Sequence, residues 1–191
     1  MENMSSNEDL DELEVIERYI LLLLGVLDKS IPTSYHLQKE LFILSQANPK
    51  IKQIFNFEKH YYGPYSQDLA ELVKEPLYYK EAFNFEKSGK ISITEKGKKL
   101  FQEIVNRYKD NIKFSEMLAM MKMTRQIYDK LTFEELLLLI YVTYEEFKEK
   151  SKVSQRILSK INRKRLAHNL FKKGVITETR YNELVKYSNE N

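Results

Sequence analysis

His60-Tyr-Tyr-Gly-Pro-Tyr-Ser66, followed at a short distance by Phe83-Asn-Phe-Glu-Lys-Ser-Gly-Lys-Ile-Ser-Ile-Thr-Glu-Lys-Gly97, decides how this chain folds. Gly63-Pro64 predicts a turn, because glycine supplies unusual dihedrals while proline fixes φ and lacks a donor. Ser66 then caps a short helix over residues 67–74, with Leu69, Leu72 and Val73 inward and Asp68 at the positive helix start. Phe83 and Phe85 on one arm and Ile91 and Ile93 on the other alternate with period two. Lys87-Ser-Gly-Lys90 forms the tip of that hairpin, where Gly89 takes the positive φ a tight loop needs. Thr94 caps a long helix to about Tyr108, with Leu100, Phe101, Ile104 and Val105 as its buried stripe.

Working outward, a helix is expected over residues 11–28, with Leu13, Ile16, Ile20, Leu23, Leu24 and Leu27 at helical spacing. Leu21 and Leu22 widen that stripe, so the helix buries more than one side. Thr33 or Ser34 caps the next helix, which carries Leu37, Leu41, Phe42 and Leu44 and stops before Pro49. Ile51 to Tyr62 reads either as a turn of helix or as a short strand. Helix, capped helix, turn, helix, hairpin and closing helix is the order of a winged helix-turn-helix. Such a domain commonly presents a helix and a hairpin tip to DNA, and it also serves as a protein-binding module.

After Asp110 the pattern is all-helical. Met117, Met120, Met121 and Met123 read as adaptable core packing. Thr132-Phe-Glu-Glu135 has the spacing of a capping box and opens a helix expected to run to about Lys150. Val153, Ile157, Leu158 and Ile161 fall on one side of a wheel, and Leu166, Ala167, Leu170 and Phe171 on another, so a break is expected at Asn162. Gly174 closes that helix, and Thr177 opens a last one with Tyr181, Leu184, Val185 and Tyr187. The fold class is therefore mainly α with a small β-hairpin. Residues 1–10 read as a flexible acidic tail, 11–110 as a winged-helix domain and 111–191 as a helical C-terminal domain.

At 191 residues, with 42% hydrophobic and 12% aromatic content, the chain has material for a real core despite 31% charged residues. It has no cysteine, and His36, His60 and His168 are not spaced as a metal pair, so neither disulfide nor metal site is expected. Tyr19–Leu27 and Leu136–Val142 are far shorter than the roughly 20 apolar residues a bilayer requires, and the N-terminus is acidic rather than basic. These features predict a cytoplasmic protein with no membrane contact. The sequence shows no Gly-rich phosphate loop, no His-Glu helix pair and no nucleophile motif. The adjacent pairs Glu134-Glu135 and Glu145-Glu146 cannot face one site on a helix. Neither enzyme activity nor a cofactor is expected.

The net charge of +3 conceals a polarity. Acids dominate residues 2–29. Lysines and arginines dominate residues 148–173, where Lys152, Arg156 and Lys160 recur at i, i+4 and i+8. Such like-charge neighbours repel, a cost that a polyanion or an acidic partner would recover. The alternative is a solvated face neutralised by the acidic N-terminus of the same or another subunit. The helix after Ser66 is itself acidic through Asp68, Glu71 and Glu75, which disfavours ordinary major-groove docking there.

Two segments of the first half, Leu37-Gln-Lys-Glu-Leu-Phe42 and Tyr62-Gly-Pro-Tyr-Ser66, resemble the paired signatures of the YwgA-type and Panacea antitoxin-like (SocA-like) winged-helix family. The resemblance covers about Leu13 to Tyr108. It implies a transcriptional regulator or an antitoxin-like adaptor, and no catalysis. Panacea domains commonly follow Gly-Pro with an apolar residue. Tyr65-Ser66 here stands closer to the YwgA type. The first reading is a winged-helix DNA-binding protein, a transcriptional regulator holding double-stranded DNA through Ser66, Gln67, Lys87, Lys90, Lys96, Arg156, Lys160, Arg163, Lys164 and Arg165. Tyr62, Gly63, Pro64 and Tyr65 form its structural motif. The second is an antitoxin- or adaptor-like module that binds an acidic protein. A homodimer through the apolar terminal helices is compatible with both.

Overall fold

Asp11 accepts the amide of Leu13 at 2.8 Å and so starts α1 (Glu12–Gly25), whose Ile16, Ile20 and Leu21–Leu24 are all buried. The computed structural model describes residues 11–186, and the tail expected over 1–10, like Tyr187, lies outside them. Glu17 is also fully buried, and its carboxylate accepts the backbone amides of Leu77, Tyr78 (2.9 Å) and Tyr79 (2.7 Å). Three donors converging on one carboxylate satisfy a charge that would otherwise be costly to bury.

Beyond α1, Ile31 exchanges backbone bonds of 2.8 and 3.0 Å with Ile91. Thr33 then caps α2 (Ser34–Ala47). Pro49 does not merely end a helix: Asn48 caps a new one, α3 (Pro49–Ile54), with proline in the first turn where its missing donor costs nothing. The ambiguous stretch thus holds both forms, since β1 (Glu58–His60) follows and pairs antiparallel with β2 (Gly63–Tyr65). The turn expected at Gly63-Pro64 lies instead at Tyr61-Tyr62. His60 faces Gly63 across a two-residue loop, and Gly63 takes φ +81° on the strand side of it. Ser66 caps α4 (Gln67–Leu72), which stops short of residue 74 because Lys74 and Glu75 both turn back onto the Glu71 carbonyl ahead of Pro76.

The hairpin β3 (Phe83–Phe85) and β4 (Ile91–Ile93) has the alternation read from the sequence, and Thr94 caps α5 (Glu95–Arg107). Gly97 sits where the start of α5 presses on the carbonyl of Ala82, with 2.0 Å between that oxygen and the position a Cβ would take. The second half comprises α6 (Ile112–Tyr128), α7 (Phe133–Thr143), a 3-10 turn (Glu145–Lys148), α8 (Ser154–Leu158), α9 (Lys160–Lys172) and α10 (Glu178–Lys186). The capping box at Thr132 and Glu135 is complete in both directions. α7 ends at Thr143 rather than near residue 150, because the 3-10 turn folds Phe147 back onto Phe42, ring centroids 4.9 Å apart. The break expected at Asn162 falls at Ser159, whose backbone is extended at ψ 147°. Asn162 serves that break from the far side, donating to the Arg156 carbonyl at 2.9 Å instead of capping a helix.

Among the described residues the chain is mainly helical, with ten α-helices and two small antiparallel hairpins, and no helix is long and apolar enough to cross a membrane. One core gathers α1, α2, α4, the second hairpin and the apolar side of α6, including Phe114, Met117 and Met121. Another gathers α7 to α10 around Phe42 of α2. α2 is the wall common to both. Replacing Gly97 by Ala is expected to lower stability by about 2–4 kcal/mol in urea unfolding, since the methyl group meets a backbone oxygen that cannot move aside.

Candidate functional site

The helix α2 and the Gly-Pro segment, separate in sequence, are stitched together in space. The Gln38 side chain accepts the Ser66 amide and donates to the Ser66 carbonyl, both at 2.9 Å. Lys39 donates to the Pro64 carbonyl at 2.7 Å. The Lys39 side chain is 1% exposed and forms no ion pair with a described carboxylate, so burial pushes its amine down to about 7. Ser66, expected at a DNA surface, is likewise 1% exposed, and its side chain caps α4 while its backbone is held by Gln38. It positions α4 and cannot reach a duplex. Gln67 is exposed, but it is bonded on both sides, accepting from the Tyr65 hydroxyl at 3.1 Å and donating to Glu71.

Between α2, the first hairpin and α4 lies a cavity of about 240 Å³ lined by Tyr35, His60, Tyr62, Tyr65, Ala70 and Lys74, among others. His60 stacks on Tyr65 at 4.6 Å, and Tyr35 meets Tyr62 edge-on at 6.1 Å. The acids of α4 do not line it, and Glu71 reaches its edge only through Gln67 and the Tyr65 hydroxyl. Asp68, Glu71 and Glu75 border a different depression, shared with Leu13 and Leu77. The acidity read from the sequence therefore belongs to one side of α4, and Ala70 on its other side borders the tyrosines.

The basic residues are distributed unevenly between pairing and exposure. At the second hairpin Lys87 is exposed at the tip, Lys90 pairs with Glu86 at 3.6 Å and Lys96 with Glu81 at 3.1 Å. In the C-terminal segment Arg156 and Arg165 (2.8 Å) converge on Glu134, whose carboxyl is held below the usual range first by the Arg165 hydrogen bond and then by that of Arg156. Lys152 lies over the Tyr61 ring, 3.7 Å from its centroid. The repulsion along the Lys152–Arg156–Lys160 stripe is thus relieved within the fold, and no polyanion is required for it. The helix break at Ser159 also separates Lys160 from the line of the other two. Lys160 and Lys164 are exposed and line an open depression with Ile161 and Tyr181, while Arg163 is half-buried on α9.

These regions are joined by contacts the sequence did not reveal. Gly89, at the tip of the β3–β4 hairpin, lies against Thr33 and Ser34 at the start of α2. Tyr35, 42% exposed, packs on Phe133 at the start of α7, ring centroids 4.7 Å apart. Glu134 follows with its two arginines. An unbroken run of partly exposed residues therefore leads from Lys87 through two helix N-termini to Arg156 and Arg165. Tyr35, Tyr61, Phe133 and Glu134 were not singled out from the sequence for this role. Glu134 stood out in the sequence only as half of an adjacent acidic pair with the capping-box Glu135, which concerns the helix and not its long-range partners. Among the described residues no three His, Asp or Glu side chains gather to hold a metal ion.

Replacing Gln38 by Ala strands two buried backbone groups of Ser66 and is expected to cost about 2–3 kcal/mol in chemical unfolding. Lys39 gives stability a pH dependence. Its folded value of about 7 lies below the free value of 10.5, so the folded state binds fewer protons across that window and stability rises with pH through it. Below the window both states are protonated, and the burial cost is fully present. Lys39→Met is expected to flatten the rise, by an amount on the order of a few kcal/mol, in unfolding curves taken at both ends of the window. Comparison with known proteins gives no family model and no curated protein that matches the chain, and the functional reading rests on this geometry.

Proposed function

We propose that this chain is a winged-helix DNA-binding protein acting as a transcriptional regulator. The order α1, the Ile31 bridge, α2, α4 and the β3–β4 hairpin supports the winged-helix reading. The observation that carries the functional reading is the run from the wing tip to Glu134. It brings Lys87 and Lys90, the capped starts of α2 and α7, and the arginines of α8 and α9 along one stretch of surface. Phosphates are bound by such groups, since helix N-termini and surface cations both favour them. Surface ion pairs such as Lys90–Glu86 are worth little, so their lysines can exchange a carboxylate for a phosphate. Docking then proceeds through the wing and the helix starts, with the acidic side of α4 turned away.

A second reading, an antitoxin- or adaptor-like module, draws on a different feature. Leu77 and Tyr78 are 52% and 47% exposed, and Leu77 borders the same depression as Asp68, Glu71 and Glu75. An apolar patch rimmed by acids suits a basic protein partner, not the acidic one expected from the C-terminal stripe.

Fluorescence anisotropy on a short labelled duplex, titrated with salt, separates the readings. Binding is expected to fall steeply with salt, and the double reversals Lys87→Glu with Lys90→Glu and Lys160→Glu with Lys164→Glu should each reduce the salt slope by about 1–2. Asp68→Ala with Glu71→Ala should leave binding intact. No binding to any duplex at low salt would sink the DNA reading and leave the patch around Leu77 as the site to pursue.

A further inference from the structure

The tyrosine cavity has a chemistry that DNA binding does not use. At about 240 Å³ it lies below the usual size of drug-like sites, which suits a one-ring ligand. Its walls are largely aromatic and aliphatic. Among the described residues that line it there is no Asp or Glu, whereas Lys39 and Lys74 both do so. Lys39 is buried and donates one hydrogen bond, to Pro64, which leaves two of its three N–H groups without an acceptor among the described residues. A buried cation without a counter-ion is a costly arrangement that an anion relieves. Tyr35, Tyr62, Tyr65 and His60 supply flat faces and edges for an aromatic ring.

We propose that this cavity binds a small planar aromatic carboxylate, its ring among Tyr35, His60, Tyr62 and Tyr65 and its carboxylate directed to Lys39 and Lys74. A cationic ligand meets two lysines and no acid. A neutral one gives the buried Lys39 amine no charge partner. Such a ligand touches α2, the first hairpin and Ala70 of α4 together, and so bridges the elements that Gln38 already joins. The inference goes beyond the DNA-binding reading and stands without it.

Benzoate, benzamide and cyclohexanecarboxylate are the probes, followed by saturation-transfer NMR and thermal melting of the full chain. Benzoate is expected to bind saturably and raise the melting temperature. Benzamide, alike in shape but uncharged, should bind about tenfold more weakly, the worth of one charge-assisted hydrogen bond, and cyclohexanecarboxylate should also bind more weakly. Ala70→Leu, which fills the space from α4, should abolish binding, and Lys39→Met and Lys74→Met should each weaken it about tenfold. Lys74 is exposed, so its variant keeps the test decisive if Lys39→Met fails to fold. Equal binding of benzoate and benzamide, undiminished binding by Ala70→Leu, or no saturable benzoate binding to the folded wild type would each overturn the proposal.

Discussion

A single buried guanidinium ties α6 to the end of α1 and to the segment that leads into the Ile31 bridge. Arg125 of α6 is fully buried and donates to the carbonyls of Leu23 (3.0 Å) and Leu24 near the end of α1, to the Lys29 carbonyl at 2.7 Å, and to Asp129 at 2.9 Å. A cation at the closing turn of a helix meets the negative end of its dipole as well as its unpaired carbonyls. Lys29 lies two residues before the Ile31 bridge, so the same contact sets the path by which the chain reaches the β3–β4 hairpin. Glu40 of α2 is buried nearby, 4.0 Å from Arg125 Nε. Burial and the neighbouring Asp129 push its carboxyl well up, which favours the uncharged form and leaves Asp129 as the counter-ion.

The helix that gathers these contacts is α2, and its polar residues are spent one by one. The His36 ring reaches the Leu131 carbonyl at 2.8 Å, Gln38 holds Ser66, Lys39 holds Pro64 and Glu40 faces Arg125. Each addresses a different element, so α2 specifies positions where an apolar helix would only supply area. Buried polar groups that each address a fixed partner in this way restrict the ways a core can pack. The tyrosine cavity and the run of basic and aromatic residues both border α2, and their geometry follows from this fixed placement.

Local signals were legible in the sequence. Thr33, Ser66, Thr94 and Thr132 cap their helices as read, and the Phe83–Ile93 hairpin has the expected alternation. Polar residues committed to distant partners were not. Gln38, Lys39 and Glu40 look solvent-facing by composition, and Glu17 looks like one acid in an acidic run, because what buries them lies 25 or more residues away. The turn at Tyr61-Tyr62 was misplaced onto Gly63-Pro64 because a strand-end glycine at positive φ carries the same letters as a turn. The basic stripe looked unpaired because its acid, Glu134, sits 22 and 31 positions upstream of the two arginines it binds. The two segments that carry the resemblance were quoted separately. Their meeting through Gln38 and Lys39 gives both a shared physical task.

The amides gathered around Glu17 have a consequence for the variability of the fold. The segment from Val73 to Ala82 is anchored in its middle, at residues 77–79, to a carboxylate on α1. The route from α4 to the β3–β4 hairpin is therefore two short spans on either side of a fixed post, not one long tether. A residue gained or lost on one span changes only that span, because the post resets the chain before it enters the other. The angle of α4 and the placement of the hairpin can diverge independently under mutation, each on its own side of one glutamate.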